Sequence, residues 1–274
     1  MNGTRDEFPY FECTDCGCLS LVEIPENLGK YYQNSYYSFQ QQSCSRVRLA
    51  AYYLSLSRLS FLTNLFPFAV FKMLHRIHLQ PAMKLLDVGC GSGTMVAGLR
   101  KLGYSAEGID PFVSSDIADE DGVRVRKGVL GEVKDKFDVI LFLHSLEHMP
   151  VESLALARDR LNSDGLCVVR IPVVNWAWKR YGADWVQLDA PRHLFVHTVR
   201  SFTILAEKSG LKVQRVLFDS TDLQFWGSDG YARDIPLRAS RPQMLRRSLL
   251  RLRAMVFNLR NLGDQAQFYL RPVK

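Results

Sequence analysis

An apolar run that leads directly into a glycine-rich turn constrains the fold of this 274-residue chain more than any other feature. Leu85, Leu86 and Val88 predict a buried strand of a parallel sheet, and the glycines after them allow positive φ and a close approach of the backbone to a ligand. Residues 94–102 predict a helix whose free N–H groups face that ligand. The next strand ends at Asp110, an acid placed to accept ribose hydroxyls. This order of elements indicates a nucleotide-binding corner in an α/β fold.

The spacing of the glycines distinguishes two classes of cofactor. A dinucleotide fingerprint, G-x-G-x-x-G, needs a glycine where this chain has Thr94. The pattern over 87–93 is D-x-G-x-G-x-G, which resembles motif I of class I S-adenosylmethionine (SAM) dependent methyltransferases, and Asp110 matches that family's ribose-binding acid. The resemblance implies SAM as the cofactor, with NAD and a purely structural turn as the less favoured alternatives. The residues that it assigns to the cofactor are Asp87, Gly89, Cys90, Gly91, Gly93, Asp110, Pro111 and His144.

The resemblance covers about residues 82–217 and includes several blocks in the order that the family has. Residues 137–143 are similar to the family's fourth strand, and the Leu-Glu-His-x-Pro sequence at 146–150 is typical of a subgroup with quinone-biosynthesis and sugar methyltransferases. The Asp-Ala-Pro-Arg-His block at 189–193 also resembles that subgroup. The resemblance implies a Rossmann-like α/β fold with a seven-stranded, mostly parallel sheet.

Candidate catalytic residues follow the fourth and fifth strands, beyond the carboxyl ends at which open α/β sheets bind ligands. Methyl transfer is an in-line displacement that needs positioning, and a base when the acceptor carries a proton. His148 is the expected base with Glu147 beside it, His193 is its rival, and a purely structural role for these histidines stays open. Some sugar methyltransferases use such a Glu-His pair as a base, whereas quinone methyltransferases can hold a divalent metal with it; we assign no metal. The expected substrate contacts are Trp176, Tyr181, Trp185 and Arg192.

The aromatic residues after the fifth strand favour a sugar ring or another flat apolar face as the substrate. We therefore expect methylation of a sugar or of a glycan-linked small molecule. Two alternatives remain open, namely O-methylation of a quinone-like aromatic and a non-catalytic SAM-binding partner subunit. The sequence does not indicate an oligomeric state.

Three parts are predicted along the chain. Residues 1–45 resemble a degenerate zinc ribbon, 46–80 a helical cap, and 81–274 the SAM-binding domain with a basic helical insertion at about 221–263.

The N-terminal cysteines supply only half of a zinc site. Cys13 and Cys16 form one knuckle-like pair, but the upstream pair that a ribbon needs is missing, and a structural zinc takes four ligands. Cys18 and Cys44 could complete the set. A ribbon held by strand packing without zinc is the favoured interpretation.

Much of the formal net charge of +7 lies late in the chain. Between Arg238 and Arg260, aliphatic residues recur at alternating spacings of four and three, which predicts a helix with one apolar and one basic face. A solvated basic face is the ordinary interpretation, and contact with anionic lipid or a phosphate-bearing substrate is the alternative. Nucleic acid is not expected, because the arginines are not interleaved with aromatic residues.

The expected location is the cytoplasm, with peripheral contact at the inner face of the membrane as the alternative. The sequence contains no apolar run of about eighteen residues and no signal-peptide pattern. Its six cysteines have no regular disulfide spacing, which favours a reducing compartment.

Overall fold

The computed structural model describes residues 6–32, 45–57, 69–120 and 122–273. The helices are α1 (Arg46–Leu56), α2 (Ala69–Ile77), α3 (Thr94–Lys101), α4 (Ser153–Arg160), α5 (Trp176–Tyr181), α6 (Val199–Lys208), α7 (Leu223–Tyr231) and α8 (Met244–Leu259). The strands are β1 (Tyr10–Glu12), β2 (Leu19–Leu21), β3 (Leu85–Val88), β4 (Ala106–Asp110), β5 (Ile117–Asp119), β6 (Gly122–Lys127), β7 (Phe137–Leu143), β8 (Leu161–Pro172), β9 (Phe195–Val196), β10 (Leu211–Phe218) and β11 (Gln265–Pro272).

The main sheet has eight strands in the order β10-β11-β8-β7-β3-β4-β6-β5. Strand β3 pairs in parallel with β4 and β7, so that Leu85 lies beside both Ala106 and Val139. Strand β11 is antiparallel to β8 and β10. The expected α/β fold with a mostly parallel sheet is confirmed. The sheet exceeds the expected seven strands because the short β5 folds back antiparallel onto β6 at the edge.

Two apolar cores cover the two faces of this sheet. Along β7, Ile140 and Phe142 point into one core, whereas Val139 and Leu141 point into the other. A strand covered on both faces needs apolar residues on both of its sides, which explains the apolar run from Val139 to Leu143 in β7. Helices α1 and α2 contribute to the second core through side chains such as Tyr52.

A small second sheet attaches the N-terminal segment to the rest of the chain. Strand β2 pairs with β1 and with β9, and the buried Leu19 lies beside the buried Val196. The Thr198 hydroxyl donates a 2.7 Å hydrogen bond to the Cys16 carbonyl. Strand packing therefore holds this segment, and β9 comes from the predicted SAM-binding domain.

The zinc site that was the less favoured alternative is not formed by the described cysteines. Cys13 and Cys16 are half-buried, while the buried Cys18 places its thiol 3.6 Å from His197 Nδ1. Within the described residues, no group of three or more potential metal ligands includes a cysteine. Cys44 lies outside those residues.

The late basic helix is α8. Its leucine-rich face points outward, and the opposite face packs against the domain. Ala254 is buried against the domain, whereas Leu252 on the other side is 59% exposed. Arg247 pairs with the buried Asp222 at 2.8 Å. Arg246 and Arg251 keep 59% and 49% of their side chains exposed, so the basic face is partly solvated, as expected, and partly used for contacts to the domain. No helix in the described ranges is long and apolar enough to cross a bilayer.

Candidate active site

The loop between β3 and α3 has backbone conformations that glycine adopts without strain. Gly89, Gly91 and Gly93 have φ angles of 73°, 56° and 67°. A Cβ atom on Gly89 would lie 2.4 Å from the Ser145 Cβ, and one on Gly93 would lie 2.2 Å from the Val125 Cγ2. The loop is therefore packed tightly against β6 and against the turn that follows β7.

Two buried carboxylates stand beside this loop. Asp110 accepts 2.8 Å hydrogen bonds from the backbone N–H groups of Gly91 and Phe112, one on each oxygen. Asp87 Oδ1 has no hydrogen-bond partner among the described residues. Burial, and then the Asp110 charge, raise the pKa of Asp87 to about 8. A cationic ligand group beside Asp87 would favour its ionised form, so this carboxylate fits a positively charged cofactor.

Tyr32 and Phe112 form an aromatic platform that our sequence interpretation missed. Their rings are nearly parallel, with centroids 4.9 Å apart. The Tyr32 ring also meets the His148 ring edge-on at a centroid distance of 6.0 Å. Such a platform near Asp110 suits the stacking of a flat ring. The signal for Phe112 is its position two residues after Asp110, the expected ribose-binding acid. Tyr32, in the N-terminal segment, gives no comparable signal.

The three expected catalytic residues converge at the carboxyl ends of β7 and β8. Glu147 lies in a 3-10 turn after β7 and is buried. Its Oε1 is 3.4 Å from His144 Nδ1 and 3.9 Å from His193 Nε2. The ring centroids of His148 and His193 are 4.8 Å apart. One buried carboxylate is thus surrounded by imidazoles.

Backbone carbonyls set the orientation of the His148 and His193 imidazoles. His148 Nδ1 is 2.9 Å from the Arg192 carbonyl oxygen, and His193 Nδ1 is 2.9 Å from that of Gln187. Because a carbonyl only accepts, each Nδ1 carries the proton and each Nε2 keeps a free lone pair.

The pKa values of His148 and His193 are both lowered to about 4, mainly by burial. Both imidazoles are therefore neutral at pH 7. A second contribution at His148 comes from the neighbouring His193. Both pKa values lie well below the reference value of about 6.5 for a histidine in water.

The surroundings of Glu147 keep it ionised. Burial alone would raise its pKa, but the His144 side chain and then the His148 and His193 imidazoles lower that pKa to about 2. Neither carboxylate oxygen has a hydrogen-bond partner of good geometry among the described residues. One potential ligand atom each from Glu147, His148 and His193 lies within 4.8 Å of the others. An ionised carboxylate with two neutral imidazoles is a donor set that suits a divalent cation, although the sequence led us to assign no metal.

His144 is held in place by Arg170, which lies on strand β8 of the sheet. The Arg170 guanidinium donates to His144 Nε2, and Arg170 Nε lies 2.6 Å from Asp219 Oδ2. Since a guanidinium only donates, His144 carries its proton on Nδ1, which faces Glu147. The resemblance assigned His144 to the cofactor, whereas these contacts link it to the carboxylate.

The four expected substrate contacts do not line a single site. Trp185 is 1% exposed and donates a 2.9 Å hydrogen bond to Asp264, so it is a core residue and our assignment is corrected. Arg192 is buried in an ion pair with Asp189 and receives the His148 hydrogen bond on its carbonyl. It therefore positions His148.

The other two aromatic residues belong to a separate cluster. The rings of Trp176 and Tyr181 meet edge-on at 6.0 Å, and Trp176 also packs on Phe225 and Phe257. These partners lie on α7 and α8. Trp176 and Tyr181 thus help to seat α8.

Residues 63–216 match a protein family described as Methyltransferase domain, which accounts for more than half of the chain. The ubiquinone biosynthesis O-methyltransferase of Azorhizobium caulinodans is 34% identical over 125 residues, covering 40% of this chain and 49% of that protein. The enzyme of that name from Rhodopseudomonas palustris strain TIE-1 is 24% identical over 155 residues, covering 47% and 61%. The chain thus spans about half to three fifths of the length of these curated relatives.

Geranyl diphosphate C-methyltransferase from Streptomyces coelicolor A3(2), solved with Mg²⁺, geranyl diphosphate and S-adenosyl-L-homocysteine, is similar in structure. The TM-score is 0.54 at 15% identity, and the match covers 90% of this chain and 97% of that one. At this identity the likeness shows the fold.

Proposed function

The chain belongs to the methyltransferase domain family, and from this membership we propose that it is a SAM-dependent O-methyltransferase acting on a hydroxyl of a quinone-like aromatic. The relatives named for O-methylation in ubiquinone biosynthesis support this acceptor class. The observation that carries the proposal is the convergence of two neutral imidazoles on the ionised Glu147. A sugar acceptor has less support, because Trp185 is buried in the core and Trp176 packs against α7 and α8.

The residues beside β3 fit SAM as the cofactor. Gly89 and Gly91 allow the backbone to approach it, and the Asp110 oxygens retain lone pairs that can accept the ribose hydroxyls. The unpartnered Asp87 Oδ1 suits a cationic part of SAM. When bound, SAM supplies an electrophilic methyl group on its sulfonium.

The acceptor hydroxyl must lose its proton as its oxygen attacks the methyl carbon. His148 and His193 each offer a free Nε2 that can accept a hydrogen bond from that hydroxyl. A phenolic hydroxyl with a pKa near 10 lies about 6 units above His148, so complete proton transfer to this imidazole alone is uphill by about 8 kcal/mol. This difference already includes the stabilisation of an imidazolium by Glu147, because the Glu147 charge raises the pKa of His148 against the effect of burial.

The same pKa difference favours a second role for these residues. A divalent cation held by Glu147, His148 and His193 would supply a Lewis acid that lowers the pKa of a nearby hydroxyl. Low imidazole pKa values keep both histidines in the neutral form that binds metals.

Methyl transfer to defined acceptors tests the proposal. Purified protein is incubated with SAM and either a prenylated dihydroxybenzoate or a nucleotide-sugar, with Mg²⁺ or with EDTA, and the product is identified by mass spectrometry. We expect one added methyl group on the aromatic hydroxyl and loss of turnover in EDTA. The same assay is run with His148→Ala, which should lose turnover, and with His75→Ala on α2 as a control histidine outside the site.

Transfer to the nucleotide-sugar alone would overturn the acceptor class. SAM binding without turnover of any acceptor would instead indicate the non-catalytic partner subunit.

A further inference from the structure

An apolar stripe runs along the outward face of α8. Leu245 and Leu259 near its two ends are 78% and 85% exposed, and Leu252 between them is 59% exposed. The spacing of four and three places these side chains on one side of a 16-residue helix, which is about 24 Å long. The other exposed members of this face are Met244, Leu249, Met255 and Val256. A continuous aliphatic surface on this scale marks a site of interaction.

The inward face of α8 fixes this orientation. Phe257 packs edge-on against Trp176 and Phe225, with centroid distances of 4.9 and 5.3 Å. The Arg253 guanidinium lies 4.5 Å from the Phe225 ring centroid. Asn258 exchanges two 3.0 Å hydrogen bonds with the backbone of Ser220. Because these contacts occupy the inner side, the helix cannot turn its leucines inward without losing them.

Positive charge surrounds the stripe. From Arg233 to Arg260 the chain has eight arginines and a single acid, Asp234. Arg246 lies on a flank of the helix with more than half of its side chain exposed, and Arg241 and Arg260 are also exposed. An aliphatic stripe with arginines along its edges matches an anionic lipid surface, which offers acyl chains below and negative head groups above.

Two other occupants fit this surface less well. A second copy of the chain, paired symmetrically through the stripe, would bring the arginine flanks of both helices together at a cost in like-charge repulsion. Nucleic acid would need exposed aromatic rings for stacking, whereas the stripe is made of leucine, methionine and valine.

We propose that α8 lies flat in the interface of an anionic membrane, with the leucine stripe at the acyl boundary and the flanking arginines at the head groups. Strands β8 and β10 run in the same direction, because both are antiparallel to β11 between them. Their carboxyl ends therefore point to the edge of the sheet that carries Glu147, and α5 and α7, which seat α8, follow these ends. Membrane docking would thus place the edge of the sheet that carries Glu147 near lipid. A lipid-soluble aromatic acceptor could then enter the site from the membrane, an inference that rests on the function proposed above.

Vesicle binding by the full chain tests the docking without any acceptor. Flotation is measured with phosphatidylcholine vesicles and with vesicles that also contain phosphatidylglycerol. The stripe variant is Leu245→Ser, Leu249→Ser and Leu252→Ser, and its matched control is Val47→Ser, Val123→Ser and Val129→Ser, three exposed aliphatic residues elsewhere. A charge variant carries Arg241→Gln, Arg246→Gln and Arg260→Gln.

We expect the wild type and the matched control to float with anionic vesicles, and the stripe variant to bind at least about tenfold more weakly. The charge variant should lose up to about fivefold per arginine, and this loss should shrink at high salt. Circular dichroism checks that all variants fold. Equal binding to both vesicle types, or unchanged binding by the stripe variant, would overturn the proposal.

A dimer that forms without vesicles and dissociates in the stripe variant would assign the stripe to a second copy. SAM binding should be the same in all of these variants, so a failure of docking is distinguishable from a failure of the proposed enzyme function.

Discussion

Helices α3 and α8 both carry apolar residues at helical spacing, yet they use them in opposite ways. In α3, Val96 and Leu99 are fully buried in the core beneath the sheet. In α8, the leucines face outward and arginines make contacts to the domain. Periodicity therefore shows that a helix has an apolar face, and the position of the helix in the fold decides what that face contacts.

The difference follows from the neighbours of each helix. Helix α3 starts at the glycine-rich loop between two central strands, so its apolar face necessarily covers the sheet. Helix α8 lies outside α5 and α7, where aromatic rings and the buried Asp222 already offer partners for Arg253 and Arg247. Its leucines are left available for another surface.

His148→Ala should have the largest effect, and it tests the candidate site at the carboxyl ends of the central strands. Turnover should fall by about 10²–10⁴ while SAM binding and folding persist. In the wild type, the turnover rate at saturating SAM should be constant between about pH 6 and 8, because the pKa of His148 is lowered to about 4 and the imidazole is already neutral. A pH–rate profile with an inflection near 6.5 would contradict this environment for His148.

Truncation of one leucine on each helix sharpens the comparison directly. Leu99→Ala should lower the free energy of unfolding by about 2–5 kcal/mol, since it leaves a cavity in the core. Leu252→Ala should change it by about 0.5 kcal/mol or less, because that side chain is already in water. Urea unfolding measures both. Equal losses would mean that the α8 stripe is covered within the protein.

The glycine-rich loop should tolerate no side chain at Gly89. Gly89→Ala should weaken SAM binding by about 100-fold or more, because the new Cβ meets Ser145 at 2.4 Å and the φ of 73° is strained for alanine. Gly103→Ala is the matched control, since Gly103 also has a positive φ, of 82°, but open space around its Cβ position. Calorimetry that finds the same SAM affinity in both variants would remove the steric argument.

The pH dependence of SAM binding reports on Asp87. Its pKa of about 8 means that the free protein binds a proton there at neutral pH, which must leave when the carboxylate faces a cationic ligand. SAM affinity should therefore rise by about 10- to 50-fold from pH 6 to 8 and then level off. Asp87→Asn should remove this dependence. A SAM affinity that falls between pH 6 and 8 would contradict the loss of a proton from Asp87 on binding.

The central part of the fold could be predicted from the sequence because few folds are compatible with its order of apolar strands and glycine-rich turn. The strand at 137–143, expected from its resemblance to the family's fourth strand, is reproduced residue for residue as β7. Its residues 139–143 are all apolar because both faces of the strand are covered. Glu147 and His193 were expected together because the carboxyl ends of neighbouring strands meet at one edge of the sheet.

Properties that depend on distant segments could not be predicted in this way. Trp185 was expected to contact the substrate, but a sequence rich in aromatic residues does not show which ring is buried in the core and hydrogen-bonded to Asp264. The low pKa of His148 comes mainly from burial and then from the neighbouring His193 imidazole, neither of which the local sequence shows. The platform of Tyr32 and Phe112 joins two segments that are far apart in the chain.

Transfer of an isotopically labelled methyl group from SAM is the most direct test of the function proposed for this chain. The measurement compares the wild type with Glu147→Gln, which keeps the shape of the side chain and removes its charge among the imidazoles. We predict labelled methyl on the oxygen of a polyhydroxylated aromatic in the wild type, and little label with Glu147→Gln although SAM binds equally to both. Equal labelling by both proteins, or no labelled aromatic product from a wild type that binds SAM, would contradict the account.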